Sequence, residues 1–119
     1  MLLTEAINLA RKNETQNNTN CIVYKVYENQ NLIYVGIGGK GKRKGSGRLT
    51  EHKSKSLYSS FRFQYYIDKW DKGFTRKDTD KMWELLDWEI AQFNSIEKVG
   101  DIETQLIKIH NPIFNRDKK

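Results

Sequence analysis

The chain has 119 residues, is 37% hydrophobic, 12% aromatic and 30% charged, and carries a formal net charge of +6. That is enough apolar content for one small folded domain and too much for a disordered chain, and no run approaches the roughly 20 apolar residues of a membrane span. Cys21 is the only cysteine and His52 and His110 the only histidines, which excludes an internal disulfide and a Cys/His zinc site and leaves oxygen ligands for any metal.

The first residues lack the basic n-region and cleavage site of a secretion signal, so a cytoplasmic chain is expected. Residues 2–12 put Leu3, Ala6, Ile7 and Ala10 on one helical stripe. The Asn-rich stretch 13–20 reads as a loop, so 1–20 is expected as a helix and polar loop preceding a single domain over 21–119. Two runs rich in Val, Ile and Tyr follow, 21–27 and 32–37, and favour strands. Between them Glu28-Asn29-Gln30-Asn31 suits a tight turn, although no Asn-Gly or Asp-Gly pair is present.

The next stretch holds the charge. Gly36, Gly38, Gly39, Gly41, Gly45 and Gly47 are six of the eight glycines. Residues 40–55 contain Lys40, Lys42, Arg43, Lys44, Arg48, Lys53 and Lys55 against one acid, Glu51, a net of +6. The rest of the chain is therefore neutral. A solvated loop also gives such a run, but a neutral body with one cationic, glycine-rich segment is better matched to a phosphate-rich partner.

From Arg48 the pattern turns helical, with Arg48 and His52 one turn apart. Residues 57–70 are aromatic, and Leu57, Phe61, Tyr65 and Trp70 form the expected buried stripe of a helix ended by Gly73. Thr75 to Lys81 is charged and is expected as a loop. Residues 82–93 fit strand or helix equally by periodicity. Asn94 or Ser95 would cap a last helix running from Ile96 to about His110, stopped by Pro112, which holds Asn111 out of the helical region.

Five of these residues have chemistry to offer. Tyr24 and Tyr34 meet if the hairpin strands pair, and a phenol can relay a proton. Arg48 is a phosphate fork and His52 a base near neutral pH. Glu103 lies at the edge of an apolar helical face, and one carboxylate with water and phosphate oxygens can hold Mg²⁺.

The order Ile22-Val23-Tyr24, Tyr34-Val35-Gly36, Arg48 with His52, Glu103, and Asn111-Pro112 with Asn115 resembles the GIY-YIG nuclease domain over residues 21–116. The first motif has Ile22 in place of its glycine and Val23 in place of its isoleucine. Where several members carry lysine after the second motif this chain has Ile37, so that role falls to Lys40, Lys42 or His52 or is absent. The resemblance implies an α+β fold: a small three-stranded antiparallel sheet flanked by helices, its third strand at about 83–93. It implies metal-dependent hydrolysis of DNA phosphodiesters, in a chain from a phage or mobile element. Glu103 would hold one Mg²⁺ or Mn²⁺ that binds the scissile phosphate and stabilises the leaving 3′ oxygen. Tyr24, with Tyr34 or His52, would activate water, Arg48 would stabilise phosphate charge, and Asn115 would support the Glu103 end of the site. Lys40, Lys42, Arg43, Lys44, Lys53 and Lys55 would grip the backbone of double-stranded DNA. One site cuts one strand, so double-strand cleavage would need a homodimer or two sequential nicks. The alternative is an inactive module that binds DNA or RNA through the basic loop.

Overall fold

The computed structural model describes residues 1–17, 19–39, 44–54 and 59–116. Its sheet has three antiparallel strands, β1 (Cys21–Glu28), β2 (Asn31–Gly38) and β3 (Asp87–Phe93), in the order β2-β1-β3. Five helices flank it: α1 (Leu3–Asn17), α2 (Gly45–Lys53), α3 (Ser60–Asp71), α4 (Arg76–Glu84) and α5 (Ile96–His110). The expected α+β fold is thus the one adopted.

Strand alternation divides the core in two. Ile22, Tyr24 and Val26 of β1 face one way and pack with Tyr34, Trp88, and residues of α1 to α4 such as Ala6, Leu49, Phe61 and Trp83. Cys21 and Val23 face the other way, with Val35, and are covered by Val99, Ile102, Leu106 and Ile107 of α5. Both faces of β1 are therefore buried, which is why its sequence reads as a continuous apolar run.

The hairpin is tighter than four residues. Strand pairing extends to Glu28 and Asn31, and Asn29 and Gln30 turn the chain with φ of 50° and 69°. Two central residues at positive φ match the twist of the strands, but glutamine adopts that conformation at a cost. Gln30→Gly is expected to raise stability by about 1 kcal/mol, read as a shift in the urea midpoint at constant slope.

Three boundaries differ from the sequence expectation. α1 continues through Asn17 rather than stopping at 12, because tertiary partners hold its last turn: Asn13 Nδ2 donates to Gln92 Oε1 at 2.6 Å, and Glu14 is buried. The charged stretch 75–81 is not a loop. It opens α4, where Thr75 caps the helix by accepting from Asp78 N, and Thr79 and Trp83, four apart, carry the buried face. Consequently β3 begins at Asp87, and residues 83 and 84 belong to α4. On α3 the buried stripe is Phe61, Tyr65 and Tyr66, whereas Trp70 is 40% exposed; Leu57 lies outside the described residues. Ser95 caps α5, and Asn111 ends it in the left-handed conformation (φ 44°) that Pro112 permits.

Candidate active site

Tyr24 stands on the central strand and its ring lies across β2. A Cβ on Gly36, the residue paired with it, would come within 2.4 Å of Tyr24 Cζ and Oη. Glycine at 36 is what lets the phenol cross its neighbour strand. Tyr34 is two residues earlier on β2, its ring centroid 6.2 Å from that of Tyr24 and stacked on Phe61 at 4.2 Å. The two phenols are brought together as their spacing suggested.

α2 brings up the nitrogen groups. Leu49 and His52 bury its inner face, and His52 Nε2 is hydrogen-bonded to Tyr24 Oη at 2.6 Å. The imidazole has no exposed surface and sits among the rings of Tyr24, Phe61 and Trp88, with centroids 5.3–5.7 Å away. Arg48, one turn back, is partly exposed and donates from an Nη to Glu51 Oε2 at 2.5 Å. Glu51 was not among the residues the sequence suggested, although its position three after Arg48 is a spacing at which helical ion pairs form.

The acidity of Tyr24 reports what surrounds it. Its hydroxyl is pushed well above the usual phenol range, first by burial and next by Tyr34. Arg48 opposes this by its charge and by donating toward the phenol oxygen, while the Glu103 carboxylate raises it further. Glu103, half-buried on α5, packs with its helix against the opposite face of the sheet, yet its charge reaches Tyr24. The Tyr24 hydroxyl is thus within electrostatic reach of Tyr34, Arg48 and Glu103.

Among the described residues no three His, Cys, Asp or Glu side chains converge as a protein-only metal site would require. A cation here would take Glu103 as its one carboxylate and complete its shell with water and phosphate oxygens, as Mg²⁺ commonly does. A half-buried carboxylate whose charge is felt at Tyr24 suits that donor set.

Asn115 has a different task from the one expected. Its Oδ1 accepts from Val35 N at 2.8 Å and its Nδ2 donates to Val35 O at 2.9 Å. The side-chain amide thus acts as a short extra strand on the outer edge of β2, holding the residue between Tyr34 and Gly36. It supports the tyrosine end of the site rather than Glu103.

Of the residues expected to grip nucleic acid, Lys44 and Lys53 are exposed at the two ends of α2; Lys40, Lys42, Arg43 and Lys55 lie outside the described residues.

Two other phenols share the raised acidity limit. Tyr65 is shifted up by burial and then by its hydrogen bond to Glu28, and Tyr66 by burial and then by its bond to Asp80, with Arg62 opposing. In the unfolded chain such phenols lose their protons near pH 10, whereas the folded chain holds them longer. The stability this gives is complete below that pH and is lost as pH climbs through the folded values. Denaturation midpoints are accordingly expected to show no tyrosine-linked loss up to about pH 9.5 and a fall above about pH 10.

No protein-family model matches this chain, and no curated protein or solved structure matches it significantly.

Proposed function

We propose that this chain is a divalent-cation-dependent endonuclease of the GIY-YIG type, acting on the phosphodiester backbone of double-stranded DNA. The observation that carries the reading is the hydroxyl of Tyr24, bonded to His52 Nε2 at 2.6 Å and subject to Arg48, Tyr34 and Glu103 together.

The chemistry follows from the direction of the Tyr24 shift. A phenol held above its usual range is neutral at physiological pH, so Tyr24 is not a standing phenolate base. It accepts a proton from water only as it hands its own to His52. The water oxygen then forms the new bond to phosphorus as the bond from phosphorus to the 3′ oxygen breaks. Because His52 is fully buried, it serves as the proton's terminus through Tyr24 and never meets water itself. Arg48 faces the charge that grows on the phosphate oxygens. Glu103 would hold the cation, which would supply Lewis-acid stabilisation of the phosphate and leaving oxygen.

In the free chain Tyr24 and Tyr34 are 0% and 1% exposed. Arg48, paired with Glu51, is partly open. A phosphate that takes the guanidinium from Glu51 would open a path for one water to the phenol. The same closure also favours the competing reading, a binding module without cleavage. Incubating supercoiled plasmid with the chain in Mg²⁺ or Mn²⁺, with and without chelator, decides between them. Cation-dependent open-circular product supports the nuclease. Retarded but uncut plasmid in either cation defeats it and supports the module.

A further inference from the structure

The start of α2 is held by a residue far away in sequence. Its first turn is Gly45-Ser46-Gly47-Arg48, and glycine is a poor helix former. The N-cap position is Lys44, whose side chain makes no capping bond. Left to local propensity, this turn would fray, and Arg48 rides on it.

Glu14 of α1 supplies the missing cap. Its Oε2 accepts from Ser46 N at 2.9 Å and its Oε1 from Ser46 Oγ at 2.6 Å. Glu14 is only 6% exposed, and a buried carboxylate is tolerated where charge-assisted bonds and a helix N-terminus meet it. One residue earlier Gly45 N donates to Asn20 O at 2.8 Å. On the other side of the basic segment Gly39, at φ 92°, lies so close to that carbonyl that a Cβ would stand 2.3 Å from it. Both ends of the segment thus rest on one peptide. A Cβ on Gly38 would come within 2.8 Å of Arg48 Cβ, so the first turn has little freedom to shift on the sheet. The carboxylate thereby occupies Ser46 N, an amide that a phosphate could otherwise use at this helix N-terminus.

We infer that Glu14 is a positioning residue for the proposed site: by capping α2 it fixes the aim of Arg48, so the helix preceding the sheet is part of the nucleic-acid-binding machinery. This rests on the reading of Arg48 as a phosphate ligand.

The test is a double-mutant cycle on duplex-DNA affinity without divalent cation, joined to amide hydrogen exchange. Glu14→Ala is expected to speed exchange at Ser46 about tenfold with the β1 amides unmoved, and to weaken DNA binding about tenfold. In an Arg48→Ala background the same change is expected to have no further effect on affinity, because a cap that acts through Arg48 has nothing left to aim. Glu14→Gln, which keeps an acceptor for Ser46 N, should fold normally and lose no more than about threefold. Unchanged Ser46 exchange, or an equal loss of affinity with and without Arg48, overturns the inference. A chain that binds DNA but never nicks it defeats the nuclease reading and leaves this cycle fully readable.

Discussion

Glu103→Ala is expected to reduce plasmid nicking by about 10³-fold, the scale of a lost catalytic cation. It is expected to leave metal-free DNA affinity unchanged or slightly stronger. The two readouts part because the carboxylate has opposite effects on them. With a cation it would be the carboxylate that holds it; without one it would be a negative charge near the proposed phosphate position. Its removal also relieves part of what holds the Tyr24 hydroxyl above its usual range, so loss of rate cannot be blamed on a less reactive phenol. Glu103 is half-buried at the edge of the α5 packing face, among Ile102, Leu106 and Ile107. Substitution there should therefore leave the thermal midpoint within the small range of surface changes. Equal nicking by wild type and variant would remove Glu103 from the reaction. Equal loss of nicking and binding would instead make it a structural residue.

The parts of this arrangement that were legible in the sequence are those carried by short periods. Strands rich in Val, Ile and Tyr announced β1 and β2, and a spacing of ten put Tyr24 and Tyr34 on facing strands. Four residues between Arg48 and His52 put both on one side of a helix. The parts that were not legible depend on partners distant in the chain. Glu14 looks like an ordinary surface acid, yet it follows Ala6 and Ala10 at intervals of four on the buried stripe. That position is the one local sign that α1 runs on past residue 12. Asn115 was expected near Glu103 because of its place in the motif order, but its amide matches the spacing of a strand's N–H and C=O and pairs with Val35 instead. α4 was hidden because seven of its residues, Arg76 to Met82, contain five charges. Its helical face consists only of Thr79 and Trp83. His52 was read as a base near neutral pH. In the fold it is enclosed by aromatic rings, and the proposed relay has it receive a proton through Tyr24 rather than meet water.

That relay sets the second large effect. Tyr24→Phe is expected to lower the nicking rate by about 10³-fold, within the range for loss of a general acid–base group. It also leaves His52 Nε2 buried without its 2.6 Å partner, which should cost about 1–3 kcal/mol of stability. The two losses are separable. Lowering the assay temperature restores a destabilised fold but cannot restore a missing proton carrier. Tyr34→Phe provides the contrast: it keeps the ring stacked on Phe61 and leaves the Tyr24–His52 bond in place, so it is expected to cost less rate. Nicking that falls as far in Tyr34→Phe as in Tyr24→Phe at the lower temperature would defeat the relay and reduce Tyr24 to shaping the pocket over Gly36.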